Sequence, residues 1–232
     1  MVSVIILAAG SSSRMNGKNK QLELIGGVPV FVMSALKFQD SEKVGEIIIS
    51  APKGQVSQFE REIRLSRVTK LAAVTEGGNT RFLSMREALK KASGEFVAIH
   101  DGARPLIETS EIDRVIADAE QYGAAIAAVP ATDTVKISKD GGIVESTPER
   151  SKLFYAQTPQ IFRRELLLSC IERLGESAVN ATDDSVLLEL CGESVKLTEI
   201  NCCNLKITRP ADLLAAKAIF CKSGCDTEFE IK

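Results

Sequence analysis

The stretch Glu95-Phe-Val-Ala-Ile-His-Asp-Gly-Ala-Arg-Pro105 places a carboxylate directly after a short apolar run. The run that ends at His100 has the near-continuous hydrophobicity of a strand covered on both faces of a parallel sheet. Asp101 then stands at the carboxyl end of that strand, which is where open α/β sheets bind their ligands. This sequence, a carboxylate followed by Gly102, a cation and a proline, is poorly suited to a hydrophobic core. It is well suited to binding a hard metal ion beside a phosphate. His100 itself we interpret as structural.

Similar apolar runs alternate along the chain with segments of helical period. The predicted strands are residues 2–8, 45–51, 70–75, 95–100 and 124–129. The predicted helices are residues 29–38, 81–92, 111–122, 163–174 and 210–221. Alternating strands and helices predict an α/β fold, with a doubly wound and mostly parallel sheet.

One segment departs from this alternation. Residues 135–146 alternate apolar and polar side chains about an Asp140-Gly141 turn, a pattern typical of a β-hairpin. An isolated hairpin is only marginally stable in water, so this one needs a partner surface in its own domain or on a second subunit. The predicted organisation is one domain from residues 1–131 and 155–222, a β-arm at 132–154 and a polar tail at 223–232.

The composition excludes several classes of function. A net charge of −2 supplies no basic field for nucleic acid or an anionic membrane, and 5% aromatic residues without tryptophan argue against a base-stacking platform. Six cysteines without a CxxC pair, and a single histidine, disfavour a zinc site. The first apolar stretch, residues 2–9, is too short for a signal peptide or a membrane span, so we expect a cytoplasmic protein with reduced thiols.

Two further strand ends carry loops suited to phosphate. Leu7-Ala-Ala-Gly-Ser-Ser-Ser-Arg-Met15 combines small residues, whose backbone N–H groups can cradle an anion, with a forked cation. It lacks the signatures of a P-loop and of a dinucleotide fold, so an ordinary turn is the alternative. Glu76-Gly-Gly-Asn-Thr-Arg-Phe-Leu-Ser84 also permits close backbone approach, or simply opens a helix. Because the carboxyl ends of parallel strands share an edge, we expect these loops to meet near Asp101.

Several single residues carry a functional and a structural interpretation. Lys20 could neutralise a phosphate or simply be solvated, and Arg104 could supply charge to a ligand or pair with Asp101. Thr182 has the pattern of a helix N-cap before two acidic residues. Lys206 lies in an apolar, strand-like run, where a lone lysine indicates a charge directed at an anion.

Taken in order, these motifs resemble those of the 2-C-methyl-D-erythritol 4-phosphate cytidylyltransferases of the non-mevalonate isoprenoid pathway. The matching pieces are Leu7-Ala-Ala-Gly10 with Arg14, Lys20-Gln21, Gly77-Gly78, the Asp101 run, Asp133-Thr134, Gln157-Thr-Pro-Gln160, Thr182-Asp-Asp184 and Asn204-Leu-Lys206. The resemblance covers the chain from residue 2 to about residue 220. It implies a Rossmann-like nucleotidyltransferase that moves CMP from CTP to methylerythritol phosphate and releases pyrophosphate, and a homodimer joined through the arm.

The resemblance also implies roles for individual residues. Arg14 and Lys20 match the family's catalytic cations at the triphosphate, and Asp101 matches its ligand for Mg²⁺ or another divalent cation. The implied nucleotide-binding positions are Ala8, Ala9, Gly10, Gly77, Gly78, Ser84 and Ala103. The implied substrate-positioning residues are Arg104, Thr134, Arg150, Thr158, Thr182 and Lys206. Of these, Thr134 and Arg150 are expected to reach the sugar phosphate of the partner subunit.

The chain departs from the family pattern at Asn19, where proline is more frequent, and at Cys202-Cys203, where a glycine is expected. Two alternatives stay open. One is a cytidylyltransferase for another polyol phosphate, such as ribitol 5-phosphate. The other is a non-catalytic nucleotide-binding module, which is disfavoured because such a module would not need Asp101, Arg14 and Lys20 together.

Overall fold

A computed structural model describes residues 1–15 and 17–222. The strands are β1 (Val2–Leu7), β2 (Leu24–Ile25), β3 (Val28–Pro29), β4 (Val44–Ala51), β5 (Leu71–Glu76), β6 (Phe96–Asp101), β7 (Ala124–Pro130), β8 (Ile137–Ser138), β9 (Val144–Ser146), β10 (Phe154–Arg163) and β11 (Lys196–Glu199). The α-helices are α1 (Val30–Gln39), α2 (Val56–Arg64), α3 (Arg81–Leu89), α4 (Thr109–Tyr122), α5 (Arg164–Leu174), α6 (Ser185–Leu190) and α7 (Pro210–Lys222). None of these helices has the length and apolarity that crossing a membrane requires.

A seven-stranded sheet forms the centre of the molecule, in the order β11-β7-β10-β6-β1-β4-β5. Every pairing in it is parallel except those of β10, which runs antiparallel to both β6 and β7. The doubly wound, mostly parallel α/β fold is therefore confirmed. The elements β2, β3, β10, β11 and α2 were not among those predicted from the sequence.

The core lies on both faces of this sheet. β1 is buried along its whole length, and its side chains alternate between the two faces. Val4 and Ile6 pack in the cluster that includes side chains of α1, α2, α4 and α7. Ile5 and Leu7 pack in the opposite cluster, with side chains of α3, α5 and α6. Burial on both faces explains why the strand has no polar alternation.

The register of the sheet brings three loops to one edge. Leu7, the last residue of β1, is paired with Asp101 at the end of β6 and with Ser50 on β4. Ala51 at the end of β4 is in turn paired with Glu76 at the end of β5. The loops that follow β1, β5 and β6 therefore start side by side at the carboxyl edge.

The predicted hairpin is present, because β8 and β9 pair antiparallel as a separate two-stranded sheet. Its turn is closed by Asp140, whose Oδ1 accepts hydrogen bonds from the backbone N–H of Gly142 at 2.9 Å and of Ile143 at 3.0 Å. Ile143 is 74% exposed, and Ile137 and Val144 are about half exposed. The apolar side chains of the hairpin are therefore not covered by the described part of this chain. The predicted division into domain and arm stays a prediction, and the predicted tail at 223–232 lies outside the described residues.

Candidate active site

The loops after β1, β5 and β6 enclose a cavity of about 510 Å³ at the carboxyl edge of the sheet. A cavity of this size is in the range of small-molecule and cofactor sites. It is lined by Leu7, Ala9, Gly10, Ser11, Lys20, Gln21, Lys53, Gly77, Gly78, Asn79, Thr80, Arg81, Ser84, Asp101, Ala103 and Lys206. The three loops that the sequence placed at one edge thus share one site.

One end of the cavity is bounded by backbone and small side chains. A Cβ at Gly77 would overlap the Cβ of Ala9 and would lie 2.9 Å from Ser84 Oγ and 3.0 Å from Ser50 Oγ. The loops after β1 and β5 can therefore approach this closely only because residue 77 is glycine. Ser84 donates to the carbonyl of Thr80 at 2.9 Å, which fixes its hydroxyl.

Three cations surround the carboxylate of Asp101. Lys206 Nζ lies 2.7 Å from Oδ2, Arg81 Nε lies 3.5 Å from Oδ1 and Arg104 Nε lies 3.8 Å from Oδ2. Burial by itself raises the pKa of this carboxyl, but the charges of Lys206 and Arg81 outweigh burial and hold the pKa well below its usual range. Asp101 is therefore ionised at any physiological pH.

Lys20 adds a further cation to the same cavity. Its Nζ donates to the carbonyl of Ile207 at 2.9 Å, which ties the loop after β1 to the segment that carries Lys206. Burial lowers the pKa of Lys20, and the nearby positive charges of Lys206 and Arg14 lower it further, although Asp101 opposes them. Lys20, Lys206 and Arg14 carry more positive charge than the single negative charge of Asp101. This part of the cavity therefore suits a polyphosphate.

The site can hold a divalent metal only together with a ligand. Among residues 1–15 and 17–222 no group of three or more His, Cys, Asp or Glu side chains could hold a metal ion. Asp101 lines the cavity and supplies one ionised carboxylate. Mg²⁺ in nucleotide sites is commonly held by one or two carboxylates, water and the substrate's phosphates. The donor set therefore fits a metal–nucleotide complex.

Comparisons with known proteins agree with this geometry. The model of the 2-C-methyl-D-erythritol 4-phosphate cytidylyltransferase family matches residues 2–222. The chain belongs to this family. The enzyme of that name from Geobacillus kaustophilus is 41% identical over 217 residues, which are 93% of this chain and 95% of the relative. The one from Clostridium acetobutylicum is 39% identical over 227 residues, 97% of this chain and 99% of the relative.

Solved structures of cytidylyltransferases share the fold. The 4-diphosphocytidyl-2C-methyl-D-erythritol synthase of Anaerococcus prevotii superposes with a TM-score of 0.84 at 31% identity, over 95% of this chain and 98% of the other. The 2-C-methyl-D-erythritol 4-phosphate cytidylyltransferase of Thermus thermophilus gives a TM-score of 0.76 at 30% identity, over 94% of this chain and 97% of the other. The Rossmann-like nucleotidyltransferase fold implied by the sequence is thus confirmed.

Most positions assigned from the cytidylyltransferase family meet in the structure. The assigned residues that line the cavity are Ala9, Gly10, Lys20, Gly77, Gly78, Ser84, Asp101, Ala103 and Lys206. Ala8 is buried beside them, and its N–H donates to the carbonyl of Ser50 at 2.9 Å. Arg104 donates to the carbonyl of Asn204 at 2.7 Å, so it joins the loop after β6 to the Lys206 segment.

Other assigned positions do not line this cavity. Thr134 and Arg150 are exposed on the predicted arm, where Arg150 donates to the carbonyl of Thr132 at 3.1 Å. Thr182 lines a separate cavity of about 320 Å³. Thr158 is buried, and its Oγ1 accepts the backbone N–H of Asp101 at 3.0 Å. Arg14 is exposed on the loop after β1, close enough to Lys20 to affect its pKa.

Two local interpretations from the sequence are wrong. Thr182 is not the N-cap of α6, because that position is Asp184, and the N–H of Val186 in the first turn donates to Asp183 Oδ1 at 3.2 Å. Lys206 does not lie in a strand. The segment that contains Lys206 packs against the loop after β6. There the N–H of Ile207 donates to the carbonyl of Ala103 at 2.8 Å, so this backbone hydrogen bond joins the segment to a loop and not to a strand.

Arg81 was not predicted as a site residue, although it lines the cavity of this cytidylyltransferase and contacts Asp101. The sequence does contain a feature that points to Arg81 as a residue with a special role. Arg81 is the first residue of α3 and follows the N-cap of that helix, Thr80. A cation in the first turn of a helix opposes the helix dipole, so a nearby carboxylate stabilises it there.

Proposed function

We propose that this protein transfers CMP from CTP to 2-C-methyl-D-erythritol 4-phosphate and releases pyrophosphate, in isoprenoid precursor biosynthesis. Family membership supports the reaction. The observation that carries it is the placement of the ionised Asp101, surrounded by Lys206, Arg81 and Arg104, in a cavity that also contains Lys20.

The chemistry requires charge control more than proton transfer. The acceptor phosphate attacks the α-phosphorus of CTP, a P–O bond forms there, and the bond to the bridging oxygen of pyrophosphate breaks. The attacking phosphate is already anionic at neutral pH, so no strong general base is needed. Lys20 and Arg14 would offset the negative charge that develops on the leaving pyrophosphate, and Lys206 would hold the incoming phosphate in line.

We assign Asp101 as the ligand of Mg²⁺ or another divalent cation that enters with CTP. Such an ion, when bound, would polarise the α-phosphate and orient the triphosphate. The single ionised carboxylate at the cavity wall supports this assignment. In this structure Lys206 covers Oδ2, so it has to withdraw before an ion binds that oxygen.

We also propose that two chains form a homodimer through the arm at residues 132–154. The exposed Ile137, Ile143 and Val144 support it, because the described part of this chain leaves them uncovered. Thr134 and Arg150 lie on the same arm and would then reach the acceptor site of the partner subunit. We place the enzyme in the cytoplasm, where thiols stay reduced. Cys170, Cys191, Cys202, Cys203 and Cys221 are all free.

The deciding experiment is pyrophosphate release from CTP and Mg²⁺, with methylerythritol phosphate, with ribitol 5-phosphate and with neither acceptor. We expect release only with methylerythritol phosphate. Faster release with ribitol phosphate would identify a different polyol-phosphate cytidylyltransferase. CTP binding without release in any arm would indicate a non-catalytic module.

A further inference from the structure

Arg81 occupies a position that its own helix disfavours. It is the first residue of α3, where the exposed N–H groups already give the helix end a partial positive charge. Its side chain is only 30% exposed, so water does little to screen the added cation. Two carboxyl groups face this cation; burial raises the pKa of Asp184, and the charge of Arg81 opposes that rise. Arg81 NH1 lies 2.6 Å from Asp184 Oδ2, and Arg81 Nε lies 3.5 Å from Asp101 Oδ1.

Asp184 is held firmly where it meets Arg81. Its side chain is 2% exposed, and both its own N–H and that of Ser185 donate to Gln160 Oε1 at 3.0 Å. Gln160 is itself buried on β10, where it pairs with Ile99 on β6. Ile99 is two residues before Asp101. Asp184 is therefore anchored to the strand neighbouring the one that ends in Asp101.

The two oxygens of Asp101 are consequently divided between different cations. Oδ1 faces Arg81 and Oδ2 faces Lys206. A guanidinium presents several N–H groups in a rigid plane, so Nε and NH1 of Arg81 can face the two carboxylates at once from different sides of that plane's outline. A lysine in this position would carry the same charge on a single nitrogen, without that fixed two-sided geometry.

We propose that Asp184 and Arg81 form a positioning unit of the active site. Asp184 draws the guanidinium away from full pairing with Asp101, and Arg81 in turn fixes the orientation of the Asp101 carboxylate toward the cavity. Asp184 does not line the cavity and acts through Arg81. When the charge of Asp184 is removed, Arg81 turns onto Asp101 and neutralises it, and Mg²⁺·CTP binds less tightly. This inference rests on the proposed function for the identity of the nucleotide.

A double-mutant cycle tests whether the two residues act as one unit. The variants are Arg81→Met, Asp184→Asn and the double variant, and the measurement is the dissociation constant for CTP with Mg²⁺ by calorimetry, without acceptor. We expect each single variant to bind CTP about tenfold more weakly, and the double variant to bind no more weakly than Arg81→Met. Additive losses of about 100-fold in the double variant, or wild-type affinity in either single variant, would overturn the proposal.

Two further variants separate positioning from charge and from folding. Arg81→Lys keeps the charge but cannot bridge, so we expect it to resemble Arg81→Met; wild-type affinity in Arg81→Lys would contradict the bridging geometry. Arg86→Met removes an exposed arginine of the same helix, which stacks on Phe82, and is expected to bind CTP normally. A loss in Arg86→Met as large as in Arg81→Met would show a general effect on α3 and would count against the proposal.

The readouts distinguish this inference from its alternatives. A purely structural role of Asp184 would lower the melting temperature and leave CTP affinity of the folded protein intact, and that result refutes the positioning role. If Asp184→Asn does not fold, the CTP affinities of Arg81→Lys, Arg81→Met and the wild type still test the proposal. They show whether the bridging geometry of Arg81 is needed or its charge alone. CTP binding is measured without turnover. Absence of transfer activity in the wild type would therefore refute the proposed function without deciding this one.

Discussion

Lys206 Nζ lies 2.7 Å from Asp101 Oδ2, and both side chains line the cavity. The two are not equally fixed, since the side chain of Lys206 is 41% exposed and that of Asp101 only 12%. Lys206 can therefore swing away while Asp101 stays in place. The ammonium group thus stands where a divalent cation would have to bind Oδ2. Lys206 released from Asp101 becomes available to an acceptor phosphate.

Lys206→Met should accordingly have opposite effects on metal binding and on turnover. Without the competing ammonium group, we expect Mn²⁺ to bind the protein more tightly in the presence of CTP, as measured by electron paramagnetic resonance. Turnover with saturating CTP should fall about 100-fold, because a charge-assisted contact to the acceptor is lost. Lys217→Met, an exposed change on α7, is the matched control. Unchanged Mn²⁺ affinity in Lys206→Met would show that the two cations do not compete.

The lowered pKa of Lys20 should appear in the pH profile. The lysine must be protonated to offset phosphate charge, and a lowered pKa means that it loses its proton below the ordinary value of 10.5. We expect kcat/KM for CTP, which reports the free enzyme, to fall as the pH rises through this lowered pKa. Lys20→Arg stays charged, so its profile should lack this alkaline limb. The assignment fails if both enzymes show the same limb.

Gly77→Ala should impair both stability and CTP binding. The added methyl group would overlap Ala9 and crowd Ser84, so the loops after β1 and β5 must separate. Overpacking of this kind costs about 1–3 kcal/mol of unfolding free energy, measurable by urea denaturation. Gly10→Ala is the control for stability, because, its two chain neighbours aside, no atom of residues 1–15 and 17–222 lies within 4 Å of its added Cβ. Equal stability losses in the two variants would contradict the close approach at Gly77.

Much of the fold was predictable because its signals are local. The sequences of β1, β4 and β6 are mostly apolar. A strand that is buried on both faces of the sheet has this composition. The exposed stretch at the start of β10 is not part of a buried apolar run and carries no such signal. Phe154–Gln157 is exposed or half-buried, and its strand character comes from pairing with β7, which the sequence of the segment does not encode.

The site was predictable where it follows strand ends and not where it depends on distant pairings. Asp101 and Gly77 were recognised because each directly follows or ends an apolar run. Asp184 and Arg81 are about 100 positions apart in the sequence, and no local pattern links a buried carboxylate to a first-turn arginine. An arginine in the first turn of a helix carries a charge that the helix dipole disfavours. This indicates a compensating partner, but only the fold shows which residue that partner is.

Shortening the arm should separate the subunits. Deletion of residues 139–142 removes the hairpin turn that Asp140 closes, so β8 and β9 lose their pairing. We expect the mass from light scattering to fall from dimer to monomer. Ile143→Asp, which places a charge on the most exposed apolar side chain of the hairpin, should act in the same direction. A dimer that persists in both variants would show that the subunits associate elsewhere.

His100 should remain neutral across the physiological range. Its ring is fully buried, and burial lowers its pKa to about 4. Nε2 lies 3.1 Å from the carbonyl of Arg104, which can only accept, so Nε2 carries the proton. Nδ1 then accepts from the hydroxyl of Thr158 at 3.1 Å, whose Oγ1 accepts the N–H of Asp101. Protonation of His100 would break the support beneath Asp101.

The chain has one histidine, so nitrogen NMR can observe this ring without ambiguity. We expect its shifts to show a proton on Nε2 only and to stay constant from pH 8 to pH 5. Because the unfolded histidine titrates near 6.5, the unfolded state gains a proton first as the pH falls. The unfolding free energy should therefore drop by about 2 kcal/mol between pH 7 and pH 5. His100→Gln, which cannot titrate, should lose this part of the pH dependence. Shifts that titrate near 6.5 would show that the ring is not held neutral.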